Sequence, residues 1–273
     1  MADGARELDI EIVDGVMRLT KQNAHAKYGI SMAMCDALNA AFDRAAGDEK
    51  IRAVIVDAGG KGFHRGAVMV TELKPSLDEL DDADFRDLVA RGQQLGRKVA
   101  ALHKPVIGIS RSGALGGGLE QLLRCDFVFT LDDASFSFPE VSLGFVAAWG
   151  GTQWGGRMMS FRRAQEFLLL GETISGREAV EHGLVTRSFA TGEQLDAHVD
   201  AVLKRLEYCS PASFAQTKRC LGATWDGPLR HGEDIEVEAE AEAMGSGDFR
   251  KAYAAWRDGH VYNYVTDEPE PRS

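Results

Sequence analysis

The sequence is poor in cysteine, and the few cysteines present have no metal-binding or disulfide pattern. Its four cysteines, Cys35, Cys125, Cys209 and Cys220, form no CxxC pair, and none lies at zinc-ligand spacing from a histidine. We therefore expect scattered reduced thiols and no bound metal.

Long apolar runs and an excess of basic charge are also missing. No stretch reaches the roughly 18 apolar residues that a membrane helix needs, and the charged segment Met1–Leu8 lacks the apolar region of a signal peptide. We expect a soluble protein of the cytoplasm. The formal net charge of -11 repels phosphate backbones and anionic headgroups, so neither nucleic acid nor a membrane is an expected partner.

Strand and helix patterns alternate over most of the chain, which has 273 residues and can bury a substantial core. The expected strands are Leu8–Val13, Val16–Leu19, Ala53–Val56, Pro105–Ile109 and Phe127–Thr130. One helix is expected to begin after Ser31, and two more are expected at Phe85–Leu102 and Leu119–Leu123. This alternation indicates an α/β layered core with parallel strands.

The C-terminal part, from Arg162 onward, is expected to be mostly helical. One strand is expected near Leu184–Phe189. The stretch Ile235–Ala243 has a strand-like period, but its alanine and glutamate content favours a helix, which we prefer. The tail Asp267–Ser273 contains two prolines and is expected to be disordered.

A glycine-rich segment, GALGGGLE at Gly113–Glu120, follows an expected strand and leads into a helix. Glycine lets a ligand approach the backbone closely, and the first amides of a helix point at bound negative charge. Taken alone, a tight turn without function is an equally good interpretation. The spacing does not fit the GxGxxG fingerprint of dinucleotide-binding proteins.

A second segment, FPEVSLG at Phe138–Gly144, places Glu140 twenty positions after Glu120, and GGTQ follows at Gly150–Gln153. A single glutamate after proline is more often a helix cap or a surface charge. The two carboxylates become informative only as part of a larger pattern.

Together, GALGGGLE, Cys125-Asp126, FPEVSLG and GGTQ, in this order and spacing, closely resemble the signature of the crotonase (enoyl-CoA hydratase/isomerase) superfamily. The likeness continues through Leu168–Val185 and is weaker over Ile51–Ala67. The stretch Glu236–Trp256 is similar, in looser form, to the trimerisation helices of that family.

The resemblance implies an α/β fold with a crotonase-like ββα spiral core over 1–200. It also implies a C-terminal helical trimerisation segment over 201–265 and a flexible tail over 266–273. The assembly it implies is a homotrimer or a dimer of trimers.

The resemblance also implies roles for particular residues. The main-chain N–H groups of Ala67 and Gly117 would form an oxyanion hole for the carbonyl of an acyl thioester. Glu120 and Glu140 would hold the water added to an enoyl thioester, one as base and the other as proton source. The acyl group would arrive on CoA or an acyl carrier protein, and no cofactor is implied beyond CoA as part of the substrate.

The remaining candidate contacts to substrate are His25, Lys27, His64, Arg65, Gly116, Ala148 and Trp149. For Lys27, His64 and Arg65 there are two equally good interpretations: contact with substrate phosphates, or a role as solvated loop charges. Trp149 fits an acyl pocket and an apolar core equally well.

The sequence departs from the family pattern at four places. Lys21–Tyr28 replaces an Asn-Arg-Pro-like turn, Arg65 and Val68 replace a small residue and an aspartate, and Ala147-Ala148 replaces Pro-Gly. Arg111 stands where valine is frequent and is expected to face the substrate or pair with an acid.

Two other functions stay open. Family members that catalyse isomerisation, hydrolysis or decarboxylation often lack one of the two carboxylates, so the presence of both favours hydration. A catalytically silent acyl-CoA-binding member is the third possibility, although a binding-only site gains nothing from desolvating two carboxylates.

Overall fold

The computed structural model describes residues 7–22, 29–58, 63, 64, 66 and 79–272. The chain forms two compact units, Met1–Leu195 and Asp196–Ser273. Within the described ranges, no helix is both long enough and apolar enough to cross a membrane.

Twelve strands and ten helices lie within these residues. The strands are β1 (Leu8–Val13), β2 (Val16–Lys21), β3 (Ala53–Ala58), β4 (Phe63–His64), β5 (Val106–Ser110), β6 (Gly113–Leu115), β7 (Phe127–Leu131), β8 (Ser135–Ser137), β9 (Thr173–Ser175), β10 (Arg187–Phe189), β11 (His260–Asn263) and β12 (Glu268–Pro271). The helices are α1 (Met32–Gly47), α2 (Asp82–Ala101), α3 (Gly117–Leu122), α4 (Gly151–Met158), α5 (Phe161–Leu170), α6 (Gly176–Glu181), α7 (Gly192–Leu206), α8 (Pro211–Ala223), α9 (Leu229–Gly245) and α10 (Asp248–Arg257).

A six-stranded sheet in the order β1-β2-β3-β5-β7-β10 forms the centre of the first unit. Strands β2 to β10 pair in parallel, while β1 and β2 form an antiparallel hairpin. Asp14 and Gly15, at its turn, both have positive φ, as in the turn type that matches strand twist. Strand β5 is buried at every position, as expected for a parallel strand covered on both faces. The expected hairpin and parallel core are confirmed.

A second sheet, in the order β4-β6-β8-β9, positions the two glutamates. Strands β6 and β8 are parallel neighbours, with Gly113 opposite Ser135. Helix α3 follows β6, and a 3-10 turn over Glu140–Leu143 follows β8. The carboxyl ends of parallel strands meet at one edge of a sheet, so Glu120 and Glu140 are delivered to the same side. The glycine-rich segment Gly113–Glu120, expected to follow a strand and lead into a helix, itself begins with a short strand, β6.

Local signals explain where the flanking helices begin. The Ser31 Oγ accepts a hydrogen bond from the Met34 N–H at 2.9 Å and caps α1 as expected. Asp81 and Asp84 form a capping box at the start of α2. Both helices contribute apolar residues to the core cluster that also contains residues of β2.

In the second unit, α9 covers Ile235–Ala243, which confirms the preference for helix there. The expected disorder of the tail is wrong over Glu268–Pro271, because this segment pairs antiparallel with β11. The expected strand at Leu184–Phe189 is shorter in the structure and begins at Arg187.

Candidate active site

Glu120 lies in the first turn of α3, and its side chain is only 4% exposed. The Gly151 N–H donates a hydrogen bond of 2.7 Å to its Oε1. Burial raises the pKa of Glu120 to about 7, the Gly151 N–H opposes this rise, and the charge of Glu140 adds to it. A carboxyl group with this pKa exchanges protons readily near neutral pH.

Glu140 begins the 3-10 turn after β8 and is half-buried. Its Oε1 lies against the backbone of Gly116, so closely that a Cβ added to Gly116 would overlap it. Its Oε2 is buried without a hydrogen-bond partner among the described residues. Burial raises the pKa of Glu140 above its ordinary value. A bound substrate or water would satisfy the unpaired oxygen.

The Glu120 carboxyl group accepts the Gly151 N–H, the Glu140 carboxyl group lies against Gly116, and the two are close enough for the charge of Glu140 to raise the pKa of Glu120. Both pKa values are raised, and a negative charge on Glu140 disfavours a second one on Glu120. Coupled acids of this kind lose their protons in two separate steps. A pair that releases its protons in two steps can supply one acid and one base.

Gly117 is the first residue of α3 and is buried. Its N–H has no acceptor within the helix, because the first amides of a helix lack a preceding turn. A methyl group added to Gly66 would lie 3.2 Å from the Gly117 nitrogen, so the backbone before residue 67 passes beside this amide. The Ile30 N–H donates to the Gly66 carbonyl at 3.1 Å. Ala67, the second expected donor, lies outside the described residues.

The turn over residues 147–151 is held from two sides. The Gln93 Nε2 of α2 donates to the Ala148 carbonyl at 2.8 Å, and the Arg124 Nη2 donates to the Trp149 carbonyl at 3.0 Å. The Trp149 side chain is 4% exposed and packs so closely on Gly92 that no side chain would fit there. This location favours the core interpretation of Trp149 over a role in the acyl pocket.

His64 is also buried, at 1% exposure, and its Nε2 lies 2.8 Å from the Ile109 carbonyl. Burial lowers the pKa of His64 to about 3, with a further contribution from Lys21. A neutral, enclosed ring favours a structural role for His64 over contact with a phosphate. His25, Lys27, Arg65 and Val68 lie outside the described residues.

Arg111 pairs with an acid, one of its two expected roles: its Nη1 lies 3.0 Å from the Asp57 Oδ1. Gln93 and Arg124, which hold the turn beside Glu120, were not among the residues expected at the site. The position of Arg124 four residues after Glu120 is the only local sign of their proximity.

The family model described as enoyl-CoA hydratase/isomerase matches residues 11–261. A probable enoyl-CoA hydratase from Bacillus subtilis is 28% identical over 242 residues, which cover 87% of this chain and 90% of that protein. A trans-2-decenoyl-[acyl-carrier-protein] isomerase from Streptococcus mutans is 24% identical and covers 93% and 95%. The crystal structure of an enoyl-CoA hydratase from Mycobacterium smegmatis superimposes with a TM-score of 0.85 at 25% identity and covers 97% and 98%.

The fold is thus that of the crotonase class of α/β enzymes, with helices following the spiral core. This chain belongs to the enoyl-CoA hydratase/isomerase family.

Proposed function

We propose that this protein hydrates the double bond of an enoyl thioester, with CoA as the expected carrier and no further cofactor. The observation that carries the proposal is the pair of electrostatically coupled carboxyl groups, Glu120 against Gly151 and Glu140 against Gly116. Glu120 accepts a main-chain N–H, whereas the buried Oε2 of Glu140 has no partner among the described residues. The pair is therefore prepared for unlike roles at one substrate.

Glu120 is the base in this proposal. The Gly151 N–H stabilises its ionised form, and a weaker hydrogen bond from the Trp149 main chain acts in the same direction. Glu140 is the proton source in this proposal, because burial raises its pKa and its Oε2 has no hydrogen-bond donor among the described residues.

In the proposed reaction, the Gly117 N–H and the expected Ala67 N–H bind the thioester oxygen. Glu120 takes a proton from water as the water oxygen bonds to Cβ, and negative charge moves onto the thioester oxygen. Glu140 then gives its proton to Cα, which restores the carbonyl. The product carries one added water, and one proton transfer from Glu120 to Glu140, through solvent, resets the site. Loss of a single oxyanion-hole donor typically costs about 2.7–4 kcal/mol.

Double-bond isomerisation is the second candidate, because the matched relative from Streptococcus mutans is named as an isomerase of an acyl-carrier-bound substrate. In that reaction one glutamate moves a proton between carbons, and no water is added. The carrier would then be an acyl carrier protein. A hydrolase, a decarboxylase or a silent acyl-CoA-binding member would fit the same fold with a different use of the two acids.

The decisive experiment measures loss of the conjugated thioester absorbance with short, medium and aryl enoyl-CoAs, together with mass analysis for the added water. Glu120→Gln and Glu140→Gln should each lower kcat by orders of magnitude if both acids act. The exposed Glu49→Gln is the matched control and should leave the rate unchanged. One severe and one mild loss would favour isomerisation, and binding without turnover of any thioester would support a silent member.

We further propose a homotrimer or a dimer of trimers located in the cytoplasm. Support comes from the resemblance of Glu236–Trp256 to trimerisation helices, and α9 and α10 are both helical there. Light scattering coupled to size-exclusion chromatography tests this proposal, and a monomer at micromolar concentration would contradict it.

A further inference from the structure

A half-buried arginine, Arg124, lies one helical turn after Glu120. Arg124 follows α3, and its guanidinium lies 4.6 Å above the centre of the Trp154 ring. A methyl group added to Gly96 of α2 would lie 3.1 Å from the Arg124 Nε, so the side chain rests on the α2 backbone. These contacts fix Arg124 between α2, α3 and α4.

Arg124 binds the turn that supplies the hydrogen bond to Glu120. Its Nη2 donates to the Trp149 carbonyl at 3.0 Å, two residues before the Gly151 N–H that reaches the Glu120 Oε1. At Gly150 a Cβ would overlap the Arg124 Nη2, and the backbone has a φ of +122°. The turn is therefore shaped around the guanidinium.

Among the described residues, the Nε of Arg124 is buried without a hydrogen-bond acceptor. Burial lowers the pKa of Arg124 to about 10, and the charge of Glu120 opposes this fall. A partly buried cation whose Nε–H has no acceptor is costly to the fold. Such a residue needs a compensating role, and Glu120 is the acid that its charge influences.

We infer that Arg124 is a positioning residue for Glu120: it holds the turn so that the Gly151 N–H reaches the carboxylate, and its positive charge favours the ionised form. The inference rests on the proposed function to the extent that ionised Glu120 serves as the base. Among the described residues, the charged groups that act on Glu120 are Glu140 and Arg124, and Arg97 of α2 acts on Arg124.

The first test is the pH profile of kcat/KM for Arg124→Met and Arg124→Lys with the best enoyl thioester. Loss of the cation should move the acidic limb upward by roughly half a pH unit or more, because an opposite charge nearby normally lowers a carboxyl pKa. Arg124→Lys retains the charge and should restore part of the shift. Arg157→Met, on the exposed face of α4, is the matched control and should leave the limb in place. A lower rate with an unshifted limb would overturn the inference and leave Arg124 a packing role.

The second test does not depend on activity. The change in the free energy of unfolding caused by Glu120→Gln is measured as a function of pH in three backgrounds: wild type, Arg124→Met and Arg124→Gln. The midpoint of this effect, near pH 7 in the wild type, should rise by the same roughly half unit in both neutral variants. One folded Arg124 variant is enough for this test. A midpoint that stays at its wild-type pH overturns the inference. If the wild type turns over no enoyl thioester but the midpoint moves, the proposed function fails and the coupling of Arg124 to Glu120 stands.

Discussion

At the scale of single residues, Gly116 keeps Glu140 in place by having no side chain. Its φ is +52°, a conformation that L side chains rarely adopt, and a Cβ would overlap the Glu140 Oε1. Gly116→Ala should therefore displace Glu140 and lower kcat/KM at least about 100-fold, since a misplacement of about 1 Å has a cost of this order. Steady-state kinetics with an enoyl thioester measures the loss.

Gly156→Ala is the control for this change, because Gly156 lies in α4 with no atom within 4 Å of an added Cβ. It should leave activity unchanged and raise the free energy of unfolding by about 0.5–1 kcal/mol. Equal activity of the two alanine variants would show that Gly116 does not position Glu140.

The two glutamates could be predicted from the sequence because their motifs are local and their spacing is specific. Arg124 could not, since its contacts lie 25 residues further along the chain at Trp149 and on another helix at Gly96. The burial of His64 was equally hidden, because a histidine beside an arginine and glycines gives no sign of a closed environment. Long-range packing decides both cases.

At the scale of elements, the hairpin and the parallel strands followed from apolar periodicity and turn chemistry. Strand β12 did not, because Pro269 and Pro271 normally argue against a strand. Both prolines fit in this strand because β12 pairs with β11 alone. In an edge strand, proline can lie where no neighbouring strand needs the N–H that it lacks. Side-chain hydrogen bonds that no local pattern reveals then fix the segment.

Asn263 is the side chain that holds this hairpin, and it is fully buried. Its Nδ2 donates to the Glu270 Oε1 at 2.7 Å, and its Oδ1 accepts the N–H groups of Val265 and Thr266 at 2.9 and 3.2 Å. Asn263→Ala should lower the free energy of unfolding by about 1–3 kcal/mol, because the Val265 and Thr266 N–H groups lose their acceptor and Glu270 loses a donor. Urea denaturation measures the change.

Glu268→Ala, an exposed change in β12, is the control for the hairpin and should stay within about 0.5 kcal/mol of the wild type. If Asn263→Ala is as stable as this control, the hydrogen bonds of Asn263 do not hold the hairpin.

At the scale of the whole molecule, two buried ionisable groups oppose the stability of the fold over different pH ranges. Lys21 ends β2 at 2% exposure, and burial lowers its pKa from 10.5 to about 8. The fold therefore disfavours the charged amine, and burying it lowers the free energy of unfolding. This loss of stability is absent above about pH 10.5, grows as the pH falls, and is complete below about pH 8. Lys21→Met should raise the free energy of unfolding at pH 7 by on the order of 3 kcal/mol. Chemical denaturation at pH 7 and 10 measures the gain, and a gain that is equal at both values would contradict this origin.

Glu120 has the opposite dependence, because its pKa is raised from 4.5 to about 7 by burial. The folded protein binds this proton more tightly than the unfolded chain, so the stability contributed by protonated Glu120 is complete below about pH 4.5 and lost as the pH rises through 7. Glu120→Gln removes the ionisation and should be more stable than the wild type above pH 7, by on the order of 3 kcal/mol, while the two converge near pH 4.5. Thermal and urea unfolding between pH 4.5 and 8.5 measures the difference, with exposed Glu49→Gln as the control that should show no such trend. A constant difference across this range would mean that Glu120 ionises normally, and a proton-exchanging base near neutral pH would then have to be sought elsewhere in the site.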